Sequence, residues 1–407
     1  MLRTTNIALF DQCIWSVTNF LAVALFAHVA SPEEFGQFSL AFTVTIFVSG
    51  LAAALSGEVL AVARVDLRAA SKNDRPPDDQ FFAQKARAAG ITAMLAMVGA
   101  IAVSVVMVWF AGNLTVIGVW VAVTAPAAIW AEGMRAMAYA QRKTRVAFLI
   151  SSAWLAGQGL ATLIVGLGMG RLDHTAVLTG WFCGAMASAV ASSLATAQRL
   201  QFRGATRAEW RRRCSFGLEY AVTAGTMNLT VVLAAAFVGV VEAGLMRALQ
   251  TAFGPVNVLM VSIRNVVVPV AAELYRGHRL WNVSVQATLA VGGANALMWF
   301  LLATFPDLGR LIMDENWPAD AGVVSGFSLL RLAAAAIFGA LVVFRALDVT
   351  RLSVRLHLLS SGLLIITFSA YLQFGLEPAL WAAGAAYSAA AALWWLIARR
   401  LVTTSVA

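Results

Sequence analysis

Charge is scarce in this sequence. Only 12% of its 407 residues are Asp, Glu, Lys or Arg, where soluble domains carry about 25%. Lysine is rarer still, at Lys72, Lys85 and Lys143 alone. Cysteine occurs three times, at Cys13, Cys183 and Cys214, with no CxxC and no Cys/His spacing. Neither a metal site nor a disulfide framework is expected. The four histidines, His28, His174, His278 and His357, are scattered. GxxxxGK[ST] is absent, which excludes a nucleotide site of that type. DxD, HExxH and GxSxG are absent too. No cofactor is expected. Asp11 and Gln12 interrupt the first apolar run and no cleavage pattern follows it, so no secretory signal is expected.

What fills the chain is apolar. Hydrophobic residues make up 60% and the mean hydropathy is +0.79. Long apolar runs recur along the whole length. Each can cross roughly 30 Å of hydrocarbon as a helix. Backbone amides in lipid must bond internally, which leaves helices or a closed barrel. The runs lack the short alternation of barrel strands, so helices are predicted. The expected fold is an all-α polytopic membrane protein with about twelve spans: 6–30, 36–63, 87–111, 114–134, 145–169, 175–197, 215–239, 244–272, 281–305, 321–343, 353–374 and 378–398.

The net charge of +9 does not point to nucleic acid. With the N-terminus inside, 24 of the 29 Lys and Arg residues fall in inner segments and two, Arg171 and Arg310, fall outside. That asymmetry orients membrane proteins. It predicts cytoplasmic termini and an even number of spans. The longest outer loop, about 306–320, is too short for a soluble domain. A membrane glycosyltransferase or ligase is the enzymatic alternative, and such enzymes commonly work in large outer loops.

The halves echo each other. An offset of 208 places Gly36 on Gly244 and Asp11 on Glu219. Each half thus opens with a carboxylate ahead of a glycine that starts a helix. The basic turn from Arg135 to Arg142 resembles that from Arg345 to Arg351. The expected domains are lobes of six helices each, 1–200 and 201–407, related by a pseudo-two-fold along the membrane normal. Such repeats set the substrate path between the halves.

Phe10 to Val48, with Pro32-Glu-Glu-Phe-Gly36 opening the second span, carries a family likeness. So do Val241 to Pro269 and the turn around Tyr139-Ala-Gln-Arg142. The sequence resembles the multidrug/oligosaccharidyl-lipid/polysaccharide exporter (MOP) superfamily, and within it the O-antigen and exopolysaccharide flippases. The resemblance implies two lobes around a cavity that opens alternately to each side. It implies a polyprenyl-pyrophosphate-linked oligosaccharide as cargo, in a bacterial inner membrane, with polysaccharide synthesis machinery as a partner. Peptidoglycan-precursor flippases usually have fourteen helices, and twelve argues against that branch.

Charges within spans are costly, about 2.5–3.5 kcal/mol each at a helix centre. Arg247, Arg264 and Arg331 fall within spans of the second half. Gln250, Asn257 and Arg264, spaced by seven, form one polar stripe on a helix. A guanidinium forks onto phosphate oxygens and stays charged, so these residues are candidates to bind a pyrophosphate. The bland alternative is an arginine paired for packing or reaching the headgroups. The first half carries carboxylates, Asp11, Glu58 and Glu132. With Glu219, Asp11 and Glu58 are candidates to couple proton or sodium movement, since desolvation raises a carboxylate's proton affinity. Wet carboxylates near the inner interface are the alternative. Glu219, Thr223, Thr226 and Thr230 form a second stripe, and Asn228 is expected to bond a neighbouring helix. Asn19 and Trp15 share a polar face, and Trp15 is a candidate to stack on sugar. Most other tryptophans fall near span ends as an aromatic belt. A multidrug or cation antiporter of the same superfamily is the competing reading. It calls for carboxylates and aromatics where a pyrophosphate calls for arginines.

Overall fold

The structure, a computed structural model, describes residues 2–61, 78–112, 115–196, 200–202, 204–260, 263, 278–318, 320–347 and 349–404. Among them every regular element is helical. In chain order these are α1 Leu2–Val29, α2 Pro32–Ala53, α3 Asp78–Ala111, α4 Val116–Ala140, α5 Thr144–Gly168, α6 His174–Thr196, α7 Arg207–Phe237, α8 Val240–Ala252, α9 His278–Thr304, α10 Pro306–Met313, α11 Ala321–Ala346, α12 Thr350–Leu372 and α13 Leu376–Thr404.

Local chemistry sets several helix starts. Ser31 and Glu34 close a reciprocal capping box at α2, with Pro32 in the first turn, which satisfies amide groups left open at a helix start. Thr115 caps α4 and Asp320 caps α11. The polypeptide continues beyond α2 through a π-helical turn, Ala54–Glu58.

Eleven helices among the described residues are long and apolar enough to cross a membrane. They correspond to eleven of the twelve expected spans. The remaining one, 244–272, is described continuously only as far as Met260. The chain is built as an integral membrane protein. The expected loop 306–320 is folded rather than open: it contains α10, and Trp317 packs so tightly on Gly309 that a Cβ there would lie 2.2 Å from its ring.

The chain divides into two compact units, Met1–Asn228 and Leu229–Ala407. The division falls inside α7, a helix that the expected lobes 1–200 and 201–407 place wholly in the second. Within unit 1, close backbone packing joins α1 to α5, α2 to α4, α3 to α4, and α6 to both α4 and α5. Small residues permit it: a Cβ on Gly133 of α4 would lie 2.4 Å from Thr92 Cγ2 of α3. Phe26, Phe38, Phe42 and Trp181 fill a stacked aromatic core. Within unit 2, α13 packs on α11 and α12, and α9 packs on α11.

Candidate functional sites

Unit 1 buries an ionic cluster between α1 and α4. Asp11 of α1 is fully buried. Arg135 of α4 donates to Asp11 Oδ2 at 2.8 Å and to both oxygens of Glu132, at 2.8 and 3.0 Å. The Tyr139 hydroxyl, one turn further along α4, also donates to Asp11 Oδ2. The Trp15 ring lies 4.4 Å from the guanidinium, a geometry in which the ring quadrupole attracts the cation. Trp154 of α5 meets Trp15 edge-on at 4.9 Å. Two carboxylates share one guanidinium here, so with all three ionised the cluster carries one net negative charge. Asp11 Oδ1 is buried and has no hydrogen-bond partner.

This arrangement corrects several expectations. Arg135 was expected in an inner basic turn outside the spans, but α4 runs to Ala140 and holds it inside the unit. Glu132, one of the intramembrane carboxylates of the first half, and Tyr139, from the basic turn, belong to the same constellation. Their spacing was the available signal: Glu132, Arg135 and Tyr139 fall on one helical face. Trp15 faces the guanidinium and meets Trp154 edge-on. The Asn19 amide is turned back to the Trp15 carbonyl at 3.1 Å. Of the other carboxylates proposed for coupling, Glu58 is exposed in the π-helical turn and Glu219 is half-buried in α7. The cluster formed by Asp11 includes neither.

Two members of the second polar stripe bond their own helix. Thr223 donates to the Glu219 carbonyl at 2.7 Å and Thr226 to the Val222 carbonyl at 2.6 Å. Asn228, expected to reach a neighbouring helix, donates to the Ala224 carbonyl at 3.2 Å in its own helix.

In unit 2, Arg331 of α11 donates to the Asn257 side-chain carbonyl. Its Nε is buried without a hydrogen-bond partner. Among the described residues no carboxylate pairs with it. Val256, next to Asn257, and Ala335, one turn from Arg331, belong to an apolar core with Ala287, Val291 and Phe338. The guanidinium therefore sits at the edge of an apolar environment with a neutral partner. Arg247 instead donates to Gln250 at 3.4 Å, one turn along α8. The expected stripe is divided: Gln250 goes with Arg247, and Asn257 with Arg331. Helix α8 ends at Ala252 and helical geometry resumes at Gly254-Pro255, since proline cannot donate to the preceding turn. Arg264 lies outside the described residues.

No family model matches the sequence, and no curated protein matches it. Solved structures do. An inward-facing multidrug resistance MATE family transporter of the MOP superfamily matches with a TM-score of 0.69 over 98% of both chains, at 11% identity. An outward-facing multidrug resistance MATE transporter matches with a TM-score of 0.64 at 11% identity, covering 99% of this chain and 95% of its own. A MOP superfamily transporter from Pyrococcus furiosus, for which reverse polarity of the binding pocket suggests a different function, matches at 0.62 and 10% identity, covering 100% and 96%. The chain has the fold of the MATE transporters. These likenesses span essentially its whole length.

Proposed function

We propose that the chain is a transporter of the MOP superfamily, not an enzyme, and that it moves a polyprenyl-pyrophosphate-linked oligosaccharide from the cytoplasmic to the outer leaflet by alternating access. The anionic cargo rests on one observation. Arg331 is held at an apolar edge by a neutral amide, with its Nε unpartnered and no carboxylate among the described residues to offset its charge. A desolvated cation of that kind is costly unless an anion completes it. A phosphate oxygen pair suits the planar fork of a guanidinium. Arg135, by contrast, is spent on two carboxylates. Arg264, Arg247, Gln250 and Asn257 remain candidates to extend the anion site. Occurrence of MATE-fold transporters in inward- and outward-facing forms supports the alternating-access part. The membrane is a bacterial inner membrane, both termini are cytoplasmic, and the partners are membrane lipids and polysaccharide synthesis machinery.

Asp11 is the best candidate for ion coupling. Its Oδ1 is buried without a partner in a cluster of two carboxylates and one guanidinium. A proton or sodium ion would neutralise it.

The same pair of carboxylates favours a second reading, a multidrug or cation antiporter. In that case the carboxylates of unit 1 and Trp15 would receive a cation. The two readings separate in proteoliposomes. The flippase moves a polyprenyl-pyrophosphate-linked sugar and ignores cationic dyes; the antiporter does the reverse. Dye transport without any movement of the lipid-linked sugar would overturn the flippase.

A further inference from the structure

α7 is the helix that the division between the units cuts, and it is held in an unusual way. It is absent from the close backbone packing that joins α1 to α6. Side chains hold it instead, and they concentrate in its first half. Glu209 is the centre of a buried clasp. Its carboxylate receives Arg213, one turn along, at 2.6 Å, and Arg87 of α3 at 2.9 Å. The Arg213 side chain is 1% exposed and donates at 2.5 Å to the Leu55 carbonyl in the π-helical turn. A π turn widens the helix and disturbs its hydrogen-bond ladder. Ser56, in the same turn, bonds Ala88 and Thr92 of α3. The segment before α7 is tied down too. The Gln201 amide donates to the Ala86 carbonyl at 3.0 Å. A Cβ on Gly90 would lie 2.4 Å from the Gln201 carbonyl oxygen. Further along, a Cβ on Gly217 would lie 2.8 Å from Leu55 Cδ2 and one on Gly225 2.9 Å from Phe47 Cε2.

A different pattern then takes over. Thr223, Thr226 and Asn228 each bond a carbonyl four residues back in α7. Side chains that bond the backbone this way loosen and bend helices. They lie immediately before the division at Asn228 and Leu229.

We propose that α7 is a jointed helix with its anchor at Glu209. The clasp fixes the preceding segment and the first half of α7 to unit 1 as one body. The back-bonded stretch from Thr223 to Asn228 is the joint. α7 is therefore strapped to unit 1 over its first half and flexes beyond it. The two arginines share one carboxylate, so both ion pairs of the anchor depend on Glu209. The inference is independent of what is carried.

Hydrogen–deuterium exchange of the full chain in nanodiscs tests it, because exchange reports local opening. In the wild type, amides of 208–220 should exchange about tenfold more slowly than those of 225–232. Glu209→Gln should raise exchange in 200–216 about tenfold and leave 225–232 unchanged. Arg87→Met keeps the pair of Glu209 with Arg213 and serves if Glu209→Gln does not fold; it should raise exchange in 200–206 while 208–220 stays protected. Equal exchange along α7 in the wild type overturns the joint. Unchanged exchange at 200–206 in Glu209→Gln, or in Arg87→Met when that variant decides, overturns the clasp.

Discussion

Arg135 and Asp11 stand 124 positions apart in sequence and meet at 2.8 Å inside unit 1. Arg135 also pairs with Glu132, and Asp11 also accepts from the Tyr139 hydroxyl. The pair links α1 to α4 and buries both charges in the unit. Removing one member of such a pair costs about 3–5 kcal/mol, because the other charge stays buried and uncompensated.

Arg135→Ala is therefore expected to destabilise the protein by about that amount, read as a lowered unfolding temperature in detergent. Arg135→Ala with Asp11→Asn should recover part of the loss, because the stranded charge on α1 is gone. Equal unfolding temperatures for Arg135→Ala and wild type would show that the ion pair contributes nothing.

Asp11→Asn alone tests coupling. The substitution keeps the shape and removes the charge that a proton or sodium ion would neutralise. The folded variant should lose the dependence of transport on an imposed ion gradient in proteoliposomes. Unaltered gradient dependence would exclude Asp11 as the coupling group.

Gly133 tests the packing of α3 on α4. Gly133→Ala puts a methyl into the space of Thr92 Cγ2 and should cost about 1–3 kcal/mol. Thr92→Ser removes that methyl and keeps the hydroxyl that reaches Ser56. The double variant should unfold at a higher temperature than Gly133→Ala alone. No improvement would mean that the clash is relieved elsewhere.

Topology has its own check. The charge bias predicts that a cysteine at Asp314 reacts with an impermeant reagent in intact cells and one at Arg207 does not, in a background lacking Cys13, Cys183 and Cys214. Reversed labelling would invert the orientation.

The helices were legible because the bilayer writes their length into the sequence: apolar runs of the right size cannot be hidden. Their partners were not. Arg135 and Arg213 read as topogenic charges beside the inner interface, because position along the chain alone separates a loop arginine from one in the next helical turn. The structure buries both. The pairing of Asp11 with Arg135 depends on how α1 packs beside α4, which no periodicity encodes. Periodicity also misled on α7. Thr223 and Thr226 share the spacing of one polar face with Glu219 and Thr230, and Asn228 points nearly opposite, yet short hydroxyl and amide side chains can bond their own backbone instead. The stripe through Gln250 and Asn257 assumed an unbroken helix, and Gly254-Pro255 breaks it. Arg331 was singled out correctly as a charge within a span, but its tie to Asn257 needed the packing of α11 to be seen.

An anion-accepting cationic site in unit 2 is tested by the binding of a short-chain polyprenyl-pyrophosphate-linked sugar to purified protein, followed by titration calorimetry. Wild type should bind, Arg331→Ala should weaken binding by about tenfold or more, and Arg331→Lys should restore it only in part, because an ammonium lacks the planar fork. Undiminished affinity in a folded Arg331→Ala protein would contradict the account.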